Sequence, residues 1–241
     1  MALILNIDTA LDTASVCLAK DGKELSIAKN VRKDSPGEKQ KDHAAWLHPA
    51  IKEIFEKNNS ELKTVDAVAV TGGPGSYTGL RIGMATAKGI CYALNKPLIT
   101  LNTLQVMANA AGNVQKDSPK ESFRSSGESA DLLCPMIDAR RSEVFTAIYS
   151  KDLRIIKEPA AIELNEKSFD EELLTNSICF FGNGSIKFQS IKKNQRAIFS
   201  NIISDASSMI SLSEGKYKRQ EFADLAYSEP LYLKEFYTPA K

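Results

Sequence analysis

Residues 72–83 read Gly-Gly-Pro-Gly-Ser-Tyr-Thr-Gly-Leu-Arg-Ile-Gly, directly after the apolar, β-branched run Val65–Val70. A strand that ends in several glycines and passes into a run with helical spacing implies a sharp strand-to-helix turn. Without a Cβ, Gly72, Gly73, Gly75 and Gly79 let the backbone bring its N–H groups close to a ligand or to another stretch of chain. Such a turn at a helix N-terminus is a ready anion site. The two common nucleotide motifs do not fit it. A Walker A loop needs Lys and Ser/Thr after its last glycine, where this chain has Leu80 and Arg81. A dinucleotide fingerprint needs an acidic residue about 20 positions further on, and the next strand-like run, Pro97–Leu101, ends in Asn102.

The segments around this turn set a topology. Leu3–Ile7 is an apolar run of strand length, Ala14–Ala19 a second strand, and Glu24–Val31 a third, with Asp21-Gly22 as the hairpin turn between the last two. Asp42 is placed to cap a helix through about Lys57. Trp46, Leu47, Ala50, Ile51, Ile54 and Phe55 form its apolar stripe, and Pro49 is expected to kink it. Val65–Val70, a helix over Gly79–Leu94 and a strand over Pro97–Leu101 complete the order β-β-β-α-β-α-β. Three antiparallel strands followed by right-handed crossovers make a ribonuclease H-like sheet. The second half echoes the first. Leu132–Asp138 and Glu143–Tyr149 repeat the first two strands, Ile137-Asp138 matches Ile7-Asp8, and Ile178–Phe181 with Gly182–Ser185 repeats the strand and glycine turn. The expectation is an α/β protein with a duplicated ribonuclease H-like fold of the actin, Hsp70 and sugar-kinase superfamily. Residues 1–103, joined by a C-terminal helix at about 215–241, form one lobe, and residues 104–214 form a second, degenerate one. Lys116–Ala130 reads as a mobile loop, and Ala206–Ala226 as helical with a division at Gly215.

Composition excludes several function classes. With 31 basic and 30 acidic side chains the net charge is +1, against autonomous binding to a phosphate backbone. Cys17, Cys91, Cys134 and Cys179 are scattered, with no Cys-x-x-Cys, which reads as reduced thiols in a cytoplasmic protein. The first strand-like run has no basic segment before it and stops at Asp8, so it is neither a signal peptide nor a membrane span. His43 and His48 are the only histidines, and on a helix their spacing turns them about 140° apart, so no metal site is expected. Ser76 lacks the Gly-x-Ser-x-Gly spacing of a hydrolase elbow; it and Thr78 read as helix caps. Asp8 and Asp138 end strands where a phosphotransferase of this superfamily would hold hydrated Mg²⁺, or where each simply caps its own turn. Gly79, Gly83 and Ala87 recur every four residues, with Ala85, Gly89 and Ala93 on adjoining faces. Interior helical glycine costs about 0.8–1 kcal/mol relative to Ala, so this smooth helix needs a close contact, inside the domain or with a partner.

Taken together, Ile4–Thr9, Ala14–Leu18, His43–Ile51, Gly73–Gly83, Asp138–Arg141, Glu143–Phe145 and Pro230–Lys234 resemble the TsaB (YeaZ) family over nearly the whole chain. The resemblance implies a non-catalytic, actin-like subunit of a threonylcarbamoyl transferase. Such a subunit pairs with its paralogue TsaD and works with the ATPase TsaE. The group is moved to the N6 of the adenosine 3′ to the tRNA anticodon. It implies no metal and no tightly bound cofactor, with ATP used by the complex and room for a nucleotide at the heteromeric interface. tRNA is met only through the complex, no membrane is involved, and isolated members form homodimers. Asp8, Thr9, Gly73, Gly75, Ser76 and Asp138 become degenerate nucleotide or phosphate-loop positions. The partner surface falls on the two helices of the first lobe, at Trp46, Leu47, Ala50, Ile54, Gly79, Gly83, Ala87 and Ile90. Older names of relatives invoke peptidases, and no residue here supports proteolysis. The alternative is an autonomous nucleotide-dependent kinase or ATPase of the same superfamily.

Overall fold

The computed structural model describes residues 2–31, 42–117 and 130–234, with 113–117 as backbone only. In chain order the elements are β1 (Leu3–Asp8), β2 (Ser15–Lys20), β3 (Lys23–Lys29), α1 (His43–Lys57), β4 (Ala67–Thr71), α2 (Tyr77–Leu94), β5 (Leu98–Leu101) and α3 (Thr103–Asp117). There follow β6 (Leu132–Asp138), β7 (Glu143–Ser150), β8 (Ile155–Glu163), α4 (Asp170–Thr175), β9 (Ile178–Phe181), α5 (Ser185–Ile191), β10 (Ala197–Ser200) and α6 (Ile210–Lys218). Short 3-10 turns stand at Leu62–Thr64 and Ala206–Met209. The chain forms two compact units, residues 1–106 with 204–231, and residues 107–203 with 232–241.

The first unit carries a sheet in the order β3-β2-β1-β4-β5. β1, β2 and β3 are antiparallel neighbours, while β4 and β5 run parallel to β1. Both sheet faces are covered, which is why β1 and β4 read as continuous apolar runs. Leu5, Ile7, Val16, Leu18, Val68 and Val70 pack under Leu47, Ile51, Ile54 and Phe55 of α1 and Met84, Ala87 and Cys91 of α2. On the other face, Ile4, Cys17, Ala67, Ala69 and Ile99 meet Val106 of α3 and Ala206, Met209 and Ile210. Each fully buried Leu, Ile or Phe contributes roughly 1.5–3 kcal/mol, so these layers fix the register of the strands.

The second unit repeats the topology, with the order β10-β9-β6-β7-β8. β6, β7 and β8 are antiparallel, and β9 and β10 run parallel to β6. Its core is aromatic: Phe180 lies edge-on to Phe169 and Phe188 at 5.3 and 5.0 Å and stacks on Phe199 at 5.5 Å. Lys192, nearly buried, lies over the Phe188 ring at 6.0 Å, pairs with Asp170 and donates to the carbonyl of Glu166 at 2.9 Å.

Three local expectations change. The helical stretch expected at 206–226 divides into a 3-10 turn and α6; the division falls at Met209 and not at Gly215, which lies inside α6, and α6 ends at Lys218, so the described part of the expected C-terminal helix at 215–241 is not helical beyond that residue. Beyond it the backbone turns away because Ala223 bridges to Leu98 as an added antiparallel contact. Pro49 lies inside α1, which continues unbroken through it. Of the presumed loop Lys116–Ala130, residues 116 and 117 end α3, and 118–129 lie outside the described residues.

Candidate functional site

β1 ends in Asp8 and β6 in Asp138, and each carboxylate begins its turn with the same kind of hydrogen bond. Asp8 Oδ1 accepts from the N–H of Ala10 at 3.1 Å, and Asp138 Oδ1 from that of Arg140 at 2.6 Å. These are Asx turns, in which a carboxylate two residues back satisfies a backbone donor. The two ends then diverge. Asp8 is 1 % exposed and takes a second hydrogen bond, from Thr71 Oγ1 at 2.9 Å. Burial pushes its pKa above the ordinary carboxylate range, against the pull of the Ala10 and Thr71 bonds, and the nearby charge of Asp205 pushes the same way. Asp138 is more open and forms an ion pair with Lys187, Nζ to Oδ1 2.8 Å. That ammonium is the main cause of a lowered Asp138 pKa, and it also holds the carbonyls of Arg141 and Glu143 at 2.8 and 3.1 Å. So the slot at the strand end is closed by neutral donors in one unit and filled by the chain's own cation in the other.

The glycine turn after β4 is closed by backbone. Gly73 has φ +110°, and a Cβ there would lie 2.6 Å from the carbonyl oxygen of Leu231, whose N–H donates to the Gly72 carbonyl at 2.7 Å. The Ser76 N–H donates to the Ala10 carbonyl at 2.8 Å, and a Cβ on Gly75 would sit 2.4 Å from that same oxygen. Ser76 caps α2 through its hydroxyl, which accepts from the Gly79 N–H at 3.2 Å, while Thr78 lies within the helix. The glycines expected to cradle an anion instead admit the β1–β2 turn and the segment around Leu231. In the second unit the corresponding turn, Gly182–Ser185, presses on Met136 and Ile137, and Asn183 accepts from the Asp138 N–H at 2.9 Å.

The smooth stripe of α2 points inward. A Cβ on Gly79 would be 2.0 Å from the Thr9 carbonyl oxygen, and one on Gly83 2.2 Å from Thr9 Oγ1. That hydroxyl donates to the Gly79 carbonyl at 2.7 Å, so Thr9 serves as a wedge between β1 and α2. Ala87, Leu47, Ala50 and Ile54 are likewise buried in the first unit's core. Six of the eight residues expected at a partner surface, Leu47, Ala50, Ile54, Gly79, Gly83 and Ala87, therefore pack internally, because a bare helix face is what lets α2 lie directly on β1. Trp46 and Ile90 are half-buried at the edge of that core. The outward side of α2 carries Ala85, Gly89, Tyr92 and Ala93, and that of α1 carries Ala44, Ala45, His48 and Pro49. Nothing lies within 4 Å of a Cβ on Gly89. Lys88 fastens residues 226–228 along the flank of α2 through the carbonyls of Ala226 and Ser228, at 3.0 and 3.1 Å. Neither this strap nor the Leu231 contact carries a sequence signal that pattern reading could detect.

The histidines do not meet: His43 Nε2 lies 3.2 Å from the Leu11 carbonyl, and His48 is exposed. Among the described residues no three His, Cys, Asp or Glu side chains gather to hold a metal ion. The four cysteines are free and buried, and burial pushes their thiols up to about 12, or about 11 for Cys91. No helix of the described residues is long and apolar enough to cross a membrane.

Two ribonuclease H-like sheets of identical strand order, each with an aspartate at the end of its first strand and a glycine turn after its fourth, define a duplicated, actin-like protein. A family model described as tRNA N6-adenosine threonylcarbamoyltransferase matches residues 27–231. The tRNA threonylcarbamoyladenosine biosynthesis protein TsaB of Buchnera aphidicola subsp. Baizongia pistaciae is 30% identical over 96% of this chain and 98% of its own. TsaB of Haemophilus influenzae is 23% identical over 96% and 93%. YeaZ from Pseudomonas aeruginosa superposes with a TM-score of 0.75 at 23% identity, covering 97% of this chain and all (100%) of that one. The chain belongs to the TsaB family, within the threonylcarbamoyltransferase-related proteins.

Proposed function

We propose that this protein acts in the threonylcarbamoylation of tRNA as a non-catalytic subunit. It pairs with a TsaD transferase and, with the ATPase TsaE, supports transfer of the threonylcarbamoyl group to the N6 of the adenosine 3′ to the anticodon. ATP is used by the complex, and tRNA is met through the partner, in the cytoplasm. Family membership supports the pathway. The observation that carries the non-catalytic role is that both strand-end carboxylates are already engaged by the chain itself: Asp8 is buried under Thr71 and the Ala10 N–H, and Asp138, though exposed, is ion-paired with Lys187. A phosphotransferase needs such carboxylates free to hold a hydrated cation. Closed glycine turns in both units support the same reading. The docking surface follows as the outward side of α1 and α2, around Trp46, His48, Ala85, Gly89, Ile90 and Tyr92. In this reading the same surface pairs two copies of the chain when TsaD is absent.

The test is reconstitution. The purified chain is expected to co-elute with TsaD, and tRNA nucleoside mass spectrometry is expected to detect the modified adenosine only when TsaD is present. Modification by this chain alone overturns the proposal. Micromolar Mg-ATP binding that vanishes in Asp8→Ala would move the reading to an autonomous kinase or ATPase. Ala85→Arg on the outward side is expected to abolish co-elution without loss of folding.

A further inference from the structure

The turn from β6 to β7 carries Arg140 and Arg141, both with left-handed backbone, at φ +69° and +48°. Residues with a Cβ enter that region at a cost, and Gly, Asn and Asp are its usual occupants. The matching turn of the first unit shows the same position in a structural role. Two residues after its aspartate stands Ala10, fully buried, whose carbonyl accepts the Ser76 N–H. In the second unit that position is Arg140, and it and Arg141 are exposed. The backbone of the turn is held from several sides. The Arg140 N–H donates to Asp138 Oδ1 at 2.6 Å, the Glu143 N–H to the Arg140 carbonyl at 3.0 Å, and Lys187 Nζ to the Arg141 carbonyl at 2.8 Å. The side chains are not held at all: neither guanidinium has a hydrogen bond, ion pair or ring contact with a described residue.

The carboxylates that would ordinarily neutralise two arginines are engaged elsewhere. Asp138 pairs with Lys187, and Glu143 with Lys234. Glu163, opposite Glu143 on β8, pairs with neither arginine. Positive charge is therefore left over at this strand end, on two neighbouring groups whose starting points the turn fixes. We infer that the Arg140–Arg141 turn grips phosphodiester groups of tRNA when this chain is part of the modification complex, an inference that rests on the proposed role in tRNA threonylcarbamoylation. A guanidinium presents planar paired donors that match two phosphate oxygens, and an already ordered backbone leaves less to be fixed on binding. Contacts of this kind position a nucleic acid without reading its sequence. Two of them on a chain of net charge +1 do not hold tRNA alone, so tRNA is still met through the partner.

The experiment measures tRNA binding to the reconstituted complex of this chain with TsaD and TsaE, by fluorescence anisotropy between about 50 and 200 mM salt. Each phosphate contact contributes about 0.7–0.9 to the slope of log affinity against log salt. The paired variant Arg140→Gln/Arg141→Gln is expected to bind more weakly, with a slope lower by about 1.5 and a deficit that shrinks roughly tenfold across that range. Arg140→Lys/Arg141→Lys is expected to recover most of the slope. Arg154→Gln, which removes a cation of the same unit already paired with Asp152, is expected to leave it unchanged. Unchanged binding and slope in the Gln pair overturn the inference. So does an equal drop in Arg154→Gln, which would report net charge alone. Loss of co-elution with TsaD or TsaE in the Gln pair assigns the turn to an acidic protein surface instead. Weakened ATP binding with tRNA affinity intact assigns it to a nucleotide, and either result overturns the inference. The Gln pair should also unfold at the wild-type urea midpoint; a lower midpoint gives these side chains a structural role and counts against the proposal. A wild-type chain that forms no complex with TsaD removes the proposed function itself, whereas an intact complex indifferent to the Gln pair removes this inference alone.

Discussion

The wedge that Thr9 drives between β1 and α2 makes a quantitative prediction about Gly83. In Gly83→Ala the new methyl would sit 2.2 Å from Thr9 Oγ1, so the hydroxyl must move and its 2.7 Å bond to the Gly79 carbonyl breaks. Overpacking of this kind costs about 1–3 kcal/mol, and a lost buried hydrogen bond about 0.5–1.5 kcal/mol. Against this, Ala exceeds Gly in helix propensity by about 0.8–1 kcal/mol. The net expectation is a loss of about 1–3 kcal/mol, or roughly 2–4 °C in Tm per kcal/mol for a protein of this size. In a Thr9→Ala background the obstacle is gone, because the next neighbours, Val70 Cγ2 and Thr9 Cβ, lie at 3.4 and 3.5 Å. There the same substitution should stabilise by up to about 1 kcal/mol, so the coupling in a double-mutant cycle is about 2–4 kcal/mol. The assay is urea unfolding followed by fluorescence of Trp46, the only tryptophan and a residue of the first unit. Additive effects would refute the wedge. A Gly83→Ala protein that unfolds normally yet fails to bind its partner would return Gly83 to the docking surface.

Four further outcomes are expected. Because the Asp8 pKa is raised on folding, the folded form binds the extra proton, and stability falls as pH rises from the unfolded carboxylate range through the folded value. Asp8→Asn should flatten that decline and be at least as stable at pH 8, read as urea midpoint against pH. The Asp138 pKa is lowered by Lys187, so its contribution is present above the unfolded value and is lost as pH falls through the folded one. Lys187→Met, which removes the ammonium from the Arg141 carbonyl and leaves that of Glu143 only its bond from the Ala139 N–H, should destabilise the second unit by about 1–2 kcal/mol and speed amide exchange across 139–143. Gly73→Ala, at φ +110° and in collision with the Leu231 carbonyl, should lower Tm by several degrees and release the Leu231 amide to exchange. The four thiols, with pKa values of about 11 to 12, should resist alkylation at pH 8 until the protein is unfolded.

The fold was largely legible because its signals are local. Apolar runs such as Leu3–Ile7 and Val65–Val70 mark strands covered on both faces, Asp21-Gly22 marks a hairpin, and the Ile7-Asp8 and Ile137-Asp138 echo exposes the duplication. The site was less so, because orientation is a tertiary property. The spacing of Gly79, Gly83 and Ala87 shows that one face of α2 is bare, but not whether that face lies on β1 or on a partner; Thr9 decides it from 70 residues away. Asp8 and Asp138 look alike in sequence, and their different protonation behaviour comes from the burial of Asp8 and from the Lys187 ammonium beside Asp138, 49 residues distant, neither of which is local. The strap around Leu231 has no periodic pattern, since its contacts run through backbone.

Gly89 interrupts the outward side of α2 with a patch of naked main chain. Helices that meet over such a patch can bring their axes to about 8 Å instead of about 10 Å. At that separation the opposing helix has no room for leucine or phenylalanine at the crossing point. Whatever helix rests there should carry glycine, alanine or serine at its own point of closest approach, so the composition of a binding partner is partly written into residue 89.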